Sequence, residues 1–228
     1  MTLDQGKAKN AISSFFKTHK ACMKATLAKS TGGKIYELYC LARTLEWLRS
    51  TYGVSIRLAN GNVVHFKASP GNIDRFRSYF VVAKHGRFFE LHTDIQVQTL
   101  GASMIGGWIG KSGYHEIDLV LINPRVQNGD MPRHSDVVLG VECKSNAKFE
   151  KGIVKQVLGI RRELSLLSQT TTSELDRAFG PPIHLGGCSL EVNADPASLY
   201  WLSYIDQSGD NYADSPGFFS IEFKHWQP

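Results

Sequence analysis

The 228-residue chain lacks several features that would assign a protein of this size to a familiar class. Its four cysteines stand far apart and form no CxxC pair, which argues against a zinc knuckle and against a dithiol redox motif. No apolar run approaches the roughly 20 residues needed to cross a bilayer. The N-terminal residues also lack the continuous apolar stretch of a signal peptide. We therefore expect a soluble, cytoplasmic protein without a membrane partner.

Two common catalytic motifs are also absent. His115 and Glu116 look like the start of a zinc-protease motif, but Leu119 stands where the second histidine is required. The Gly33–Lys34 pair lacks the spaced first glycine and the following serine or threonine of a phosphate-binding loop. The chain contains no internal repeat and no low-complexity segment. These absences exclude metalloprotease and P-loop chemistry.

The composition is that of a globular protein with a basic surface. Hydrophobic residues make up 42% of the chain, which is enough to fill the core of one domain spanning residues 1–228. The formal charge of +5 favours contact with a polyanion without requiring one.

A basic helical extension is predicted over residues 1–30, ahead of a core at residues 34–206 and a C-terminal extension at residues 207–228. Its lysines are typical of a solvated helix face, although a DNA-binding arm is the alternative. They are Lys7, Lys9, Lys17, Lys20, Lys24 and Lys29.

The first part of the core contains a strong helix signal and a strong turn signal. Leucines recur at helical spacing between Ser30 or Thr31 and Gly53, which predicts an amphipathic helix. They are Leu38, Leu41, Leu45 and Leu48. Asn60 and Gly61 then separate two alternating runs, which predicts a β-hairpin.

Further along the chain, alternating and apolar runs predict more strands and a second helix. The strands are "RFFELHTDIQVQTL", "HEIDLVLIN", "VVLGVECKS" and "SLYWLSYID", with "GASMIGGWIGKSG" as a glycine-rich connection. The helix is "FEKGIVKQVLGIRRELSLLS", with Ile153, Val157, Ile160, Leu164 and Leu167 in register. This order predicts an α/β fold with helices on both sides of a mixed β-sheet.

A carboxylate interrupts one of these apolar strands. Asp118 lies among residues that are apolar on both alternating faces, and burying an unpaired carboxylate there costs several kcal/mol. Glu142 and Lys144 share one face of the next strand, whereas Cys143 takes the other face and packs. If the strands are neighbours, Asp118 and Glu142 repel each other unless a cation such as Mg²⁺ lies between them.

These three residues could form the centre of a hydrolytic site. The metal would lower the pKa of a bound water and stabilise charge that develops on a phosphate, while Lys144 could hold or polarise that water. A strand-end salt bridge between Lys144 and one acid is the alternative interpretation.

The pattern Asp118, then Glu142-Cys143-Lys144, resembles the PD-(D/E)XK nuclease superfamily of restriction endonucleases, Holliday-junction resolvases and defence nucleases. The resemblance implies a restriction-endonuclease-like αβββαβ core over residues 34–206, with the extension and the hairpin added to it. It also implies a Mg²⁺- or Mn²⁺-dependent endonuclease. Asp118, Glu142 and the backbone carbonyl of Cys143 would be metal ligands, and Lys144 the catalytic lysine. The sequence departs from the family in having Ile117 where proline often precedes the aspartate.

The resemblance implies two further site residues. Glu37 matches an acidic residue that the family often carries on its first core helix, with Glu46 as the alternative on the same helix. Gln156 resembles a polar residue that several branches place near the metal, although a surface or packing role is also open. Glu116 shares the strand face of Asp118 and is either a second acid or the outer end of the strand.

The implied substrate is DNA, with RNA less favoured. Basic residues in the glycine-rich connection and around the second helix are candidate nucleic-acid contacts, with a solvated surface as the alternative. They are Lys111, Lys148, Lys151, Lys155, Arg161 and Arg162. Cutting both strands with one site per chain would call for a homodimer. A restriction or host-defence role is implied by the superfamily, and the alternative function is a catalytically silent nuclease-fold module that binds nucleic acid or supports assembly.

Overall fold

The fold is given by a computed structural model. It describes residues 3–18, 31–64, 69–106, 110–146, 148–168, 174–179, 193–195, 198–217 and 219–228. Within these ranges the helices are α1 (Gln5–Thr18), α2 (Gly32–Tyr52), α3 (Leu100–Ile105), α4 (Lys151–Leu164), α5 (Glu174–Phe179) and α6 (Asp214–Gly217). The strands in the same ranges are β1 (Ser55–Ala59), β2 (Tyr79–Lys84), β3 (Arg87–Gln98), β4 (Tyr114–Ile122), β5 (Val137–Lys144), β6 (Leu166–Ser168), β7 (Asn193–Asp195), β8 (Leu199–Tyr204) and β9 (Ile221–His225).

A mixed seven-stranded sheet organises the described residues, in the order β1-β2-β3-β4-β5-β8-β9. Strands β1 to β5 form an antiparallel series, whereas β8 runs parallel to β5 and β9 runs parallel to β8. Strands β6 and β7 pair in a separate two-stranded sheet. The predicted α/β fold with a mixed sheet and flanking helices is confirmed, and the finer restriction-endonuclease-like assignment stays a prediction.

Strand β4 is buried on both faces, as its continuous apolar sequence predicts. Leu119 and Leu121 contact the core that contains α1 and α2. Val120 and Ile122 contact the second core, which contains α4. The apolar second half of β4 therefore lies between two apolar layers, whereas Asp118 is half-buried and Glu116 is exposed. None of the described helices is long and apolar enough to cross a membrane.

Helix α2 forms where the leucine spacing predicts it. The Thr31 side chain accepts a hydrogen bond from the backbone N–H of Lys34, which satisfies one of the free donors in the first turn. At the other end Gly53 adopts φ 65° and donates its N–H to the Arg49 carbonyl, as glycine does at helix C-termini. All four predicted leucines are buried.

The predicted hairpin turn is present, but the described pairing of β1 is with a strand further along the chain. Asn60 and Gly61 both adopt positive φ, at 54° and 130°, as a tight turn requires. Strand β1 nevertheless pairs with β2, nearly twenty residues further along the chain. His65 and Phe66, at the end of the predicted second strand, lie outside the described residues. The hairpin that the sequence analysis missed joins β2 to β3 through His85 and Gly86, at φ 51° and 77°.

Three other boundaries differ from the sequence prediction. The glycine-rich connection contains α3, which Thr99 caps by accepting a hydrogen bond from the Ala102 N–H. Helix α4 ends at Leu164, and Leu167 lies in β6 instead of continuing the helix. The extension at residues 207–228 contributes β9 to the main sheet, where β9 pairs in parallel with β8 at the edge of the sheet.

In the described part of the N-terminal extension, α1 buries one face against α2 through Ala8, Ile12 and Phe16. Lys7 and Lys17 are exposed, which agrees with a solvated basic face. Lys20, Lys24 and Lys29 lie outside the described residues.

Candidate active site

The candidate site lies where β4 and β5 stop pairing. Their ladder ends at the Leu119–Val141 pair, one residue before Asp118 and Glu142. At this point the Asp118 carboxylate accepts a hydrogen bond from the Cys143 backbone N–H, with 2.7 Å between Oδ2 and N. Asp118 thus supplies an acceptor on the side of β5 where β4 no longer pairs, while β5 continues to pair with β8 on its other side. A carboxylate is therefore fixed beside the end of β5.

Strand β5 separates its last three side chains as the alternation predicts. Lys144 Nζ lies 2.8 Å from Glu142 Oε2, so these two charged groups share one face. The Glu142 side chain is 3% exposed and that of Lys144 is 20% exposed. Cys143 instead packs against the core that contains Cys40 of α2. The predicted juxtaposition of the two charged residues is confirmed.

Helix α2 brings Glu37 to the same end of the sheet. Its first turn lies against the residue after β5, since a Cβ built on Gly33 would be 3.9 Å from Ser145 Oγ. The Glu37 side chain is 14% exposed, and its Oε2 lies 2.6 Å from Lys34 Nζ. Glu46, the alternative, is 52% exposed and pairs with Arg43. The helix phase therefore favours Glu37 over Glu46 as the acid near the site.

Two residues of this cluster were not predicted from the sequence. On β3, the pairs Thr93–Leu119 and Ile95–Ile117 leave Asp94 opposite Asp118. The Asp94 side chain is 5% exposed, and Lys34 Nζ lies 2.5 Å from its Oδ1. The signal that revealed Asp118 is weak for Asp94, because His92, Thr93 and Gln96 around it are polar and only Ile95 is apolar.

The pKa values of the two glutamates reflect their crowding. Burial raises the pKa of Glu142 to about 7, the Asp118 charge adds to this, and Lys144 opposes it. Burial also raises the pKa of Glu37 to about 7, where the Lys34 hydrogen bond opposes it and the charge of Asp118 reinforces it. These carboxyls are therefore close enough to repel each other, which is how a site prepared for a cation behaves.

The remaining charges in the cluster are held by specific partners. Burial raises the pKa of Asp118, while the Cys143 N–H and the Lys144 charge act against this increase. Burial lowers the pKa of Lys144, but its contact with Glu142 outweighs that effect and leaves its pKa above the usual value. Lys34 behaves in the same way with Asp94 and Glu37. Both lysines stay charged at neutral pH.

The donor set fits a hard divalent cation. Asp94 Oδ2 and Glu142 Oε1 are buried and have no hydrogen-bond partner among the described residues. Unpartnered buried oxygens are costly, and carboxylate oxygens are the ligands that Mg²⁺ prefers. In the same ranges no three Asp, Glu, His or Cys side chains form a ready-made metal cage. Asp118 and Glu142 would supply two carboxylates, and the third expected ligand, the Cys143 carbonyl, belongs to the backbone.

The outlying candidates lie on the surface. Gln156 is exposed on α4, and its role near a metal stays a prediction. Glu116 is exposed and pairs across the ladder with Gln96, which supports its interpretation as the outer part of the strand. The exposed basic residues are Lys111, Lys148, Lys151, Lys155 and Arg162.

The prediction that Arg161 contacts nucleic acid is wrong, because Arg161 lies inside the protein. Its side chain is fully buried, and its guanidinium donates to the Phe219 carbonyl and to the hydroxyl and carbonyl of Ser198. Successive helix residues point about 100° apart, so Arg162 faces solvent while Arg161 falls in line with the buried Val154 and Val157. Burial lowers the pKa of Arg161 to about 10, which leaves it charged at neutral pH. It therefore ties α4 to the ends of neighbouring segments instead of contacting phosphate.

The chain shows little similarity to known proteins. No protein family model matches the chain, and no curated protein matches it. One similar solved structure is NucC of P. aeruginosa ATCC27853 in its cAAA-bound form, with 9% identity and a TM-score of 0.35. The similarity covers 97% of this chain and 75% of that one. At this level it supports no conclusion about the activity of this chain.

Proposed function

We propose that this protein is a metal-dependent endonuclease of the PD-(D/E)XK type that hydrolyses phosphodiester bonds in DNA. The observation that carries the proposal is the bond from the Cys143 N–H to Asp118. It holds one acid at the point where the β4–β5 ladder ends, beside the Glu142–Lys144 pair. A strand-end salt bridge alone accounts for Lys144 and Glu142, but it gives no role to the half-buried Asp118 carboxylate or to the unpartnered Glu142 oxygen.

In the proposed site, some residues would bind the metal ion and others would act on the attacking water. A bound Mg²⁺ or Mn²⁺ would supply Lewis-acid activation of water and would neutralise charge on the phosphate. Asp118 and Glu142 would hold that ion, together with the Cys143 carbonyl. Lys144 would orient the attacking water through its ammonium, while Glu37 would contribute a further carboxylate at the edge of the site.

An exposed basic stripe on α4 is a suitable surface for the DNA backbone. Lys151, Lys155 and Arg162 recur at intervals that place them on one side of the helix. Eleven residues of helix span about 16 Å, which matches about five phosphates of one strand. Lys148 precedes this stripe, four residues after Lys144. Lys148 would extend this basic surface along the chain toward Lys144.

The activity can be tested with supercoiled plasmid incubated in Mg²⁺, in Mn²⁺ and in EDTA. We expect nicking with either metal and none in EDTA, while gel-shift binding persists when Ca²⁺ replaces Mg²⁺. A matched single-stranded RNA substrate tests the choice of DNA. Binding without cleavage under every metal condition would instead support a catalytically silent module.

Helix phase gives a prediction for the two candidate glutamates of α2. Glu37→Gln should lower the cleavage rate or raise the Mg²⁺ concentration needed for half-maximal rate, because Glu37 is only 14% exposed and the charge of Asp118 acts on its carboxyl. Glu46→Gln should change neither, since Glu46 is exposed and pairs with Arg43. Initial rates over a Mg²⁺ titration compare the variants, and the reverse result would mean that Glu37 serves only the fold.

The adjacent arginines of α4 give a second prediction. Arg162→Ala should weaken DNA binding and reduce the log-log salt slope by about 1, because it removes one candidate phosphate contact. Arg161→Met should lower the free energy of unfolding by about 2 kcal/mol, because it strands the buried acceptors of Ser198 and Phe219. Binding isotherms at several salt concentrations, with urea denaturation, separate the effects. An unchanged salt slope in Arg162→Ala would remove it from the DNA surface.

The proposal extends to assembly and biological role. One site per chain cuts one strand, so cleavage of both strands would use a homodimer with its sites on opposite strands. Light scattering of the free protein and of its DNA complex tests this. Restriction or host defence is the biological setting that such an endonuclease would fit.

A further inference from the structure

Lys34 lies between two carboxylates that come from different parts of the fold. Its Nζ is 2.6 Å from Glu37 Oε2 on α2 and 2.5 Å from Asp94 Oδ1 on β3. A single ammonium therefore bridges the helix layer and the sheet. The two acids share one cation, in the way that carboxylates share a metal ion.

The backbone holds Asp94 firmly in this position. Asp94 adopts φ 52°, a left-handed conformation that costs a residue other than glycine about 1 kcal/mol. Gly71, on a neighbouring segment, makes two backbone hydrogen bonds on either side of Asp94. Its N–H donates to the Asp94 carbonyl, and its carbonyl accepts a hydrogen bond from the Gln96 N–H. The ladder to β4 continues on both sides of Asp94. The position of the Asp94 carboxylate is thus set by a strained backbone that hydrogen bonds hold in place.

Asp94 is not satisfied by Lys34 alone. Its side chain is 5% exposed, and its second oxygen, Oδ2, is buried and has no hydrogen-bond partner among the described residues. An aspartate that served only as a salt-bridge partner would be expected to place its second oxygen in water or against a donor. The unpartnered oxygen leaves Asp94 with an acceptor that one ammonium does not use.

The balance of charge around the site also favours one divalent cation over two. Four carboxylates (Glu37, Asp94, Asp118 and Glu142) face two ammonium groups (Lys34 and Lys144). Two negative charges remain when all four acids are ionised, which one divalent cation would neutralise. With Lys34 in place, a second divalent ion would be repelled by an ammonium lying directly on two of its would-be ligands.

We infer that Glu37 and Asp94 form a second cation site and that the Lys34 ammonium fills it in place of a metal ion. Removing the charge of Lys34 then opens this site to a divalent cation, with Asp94 as its principal ligand. The inference rests on the proposed function for the first ion, at Asp118 and Glu142, while the second site is defined by its own residues.

The test counts Mn²⁺ ions bound to the substrate-free protein, by calorimetry and by electron paramagnetic resonance of free Mn²⁺. Lys34→Met is expected to bind one ion more than the wild-type protein. Adding Asp94→Asn to Lys34→Met should remove the extra ion. Lys17→Met, which neutralises an exposed lysine of α1, is the control and should leave the count unchanged. Lys34→Gln is the second neutral variant, for use if Lys34→Met does not fold by circular dichroism.

The wild-type count and the difference between variants answer separate questions. One ion bound by the wild-type protein, and lost in Asp118→Asn, supports the proposed function, whereas no ion contradicts it. A gain of one ion in Lys34→Met or Lys34→Gln that depends on Asp94 supports the second site, whatever the wild-type count. An unchanged count in folded Lys34 variants, or an extra ion that survives Asp94→Asn, overturns the inference.

Discussion

Asp118→Asn is expected to lower Mg²⁺-dependent DNA cleavage by about three orders of magnitude, because losing about 4 kcal/mol of transition-state stabilisation has that effect. The substitution removes the ligand charge and keeps the side-chain volume. Asparagine still offers an oxygen to the Cys143 N–H, so the junction of β4 and β5 should survive. Steady-state nicking rates at saturating DNA measure the effect.

The strand supplies its own control for this experiment. Glu116 is exposed and lies two residues before Asp118, so Glu116→Gln removes the same charge from the same strand without touching the junction. It should cleave at the wild-type rate. Circular dichroism and thermal unfolding check that Asp118→Asn is folded, and gel shift in Ca²⁺ checks that it binds DNA. Wild-type cleavage by folded Asp118→Asn would refute the assignment of Asp118.

Lys144→Ala is expected to lower turnover by about 10²- to 10⁴-fold, the usual range for removing a group that assists proton transfer. DNA affinity should change little, because the Lys144 ammonium is already paired with Glu142 at 2.8 Å and lies beside Asp118. A neutralised cation contributes little to attraction of the phosphate backbone. Single-turnover rates at saturating DNA, with dissociation constants in Ca²⁺ at fixed salt, separate these two quantities.

Lys148 is the matched control for Lys144. It is exposed, lies outside β5, and belongs to the basic surface that leads to α4. Lys148→Ala should weaken binding and retain the rate at saturating DNA, which is the opposite pattern. If Lys144→Ala instead loses affinity and retains turnover, Lys144 is a phosphate anchor and its catalytic role must be abandoned.

The sequence by itself determined the parts of the site that depend on local periodicity. Strand alternation requires Glu142 and Lys144 to share a face, and the apolar run around Asp118 predicts burial between two layers. Helical spacing of four leucines predicted the buried side of α2 and put Glu37 at its edge, while Glu46 stayed open as the alternative until the structure showed it exposed. Each of these conclusions follows from neighbours within a few residues, where the geometry of one element decides the outcome.

Only the tertiary structure decided which distant residues join them. Lys34 and Asp94 meet across 60 positions of the chain, because α2 packs its first turn against the end of the sheet. Likewise β1 pairs with β2, which begins about twenty residues after β1 ends, and the buried side of α4 includes Arg161 because Ser198 and Phe219 supply its acceptors. Strand partners and buried ion pairs are set by contacts between elements that are separated in sequence. Local propensity carries no information about such contacts, since they exist only after the layers have packed.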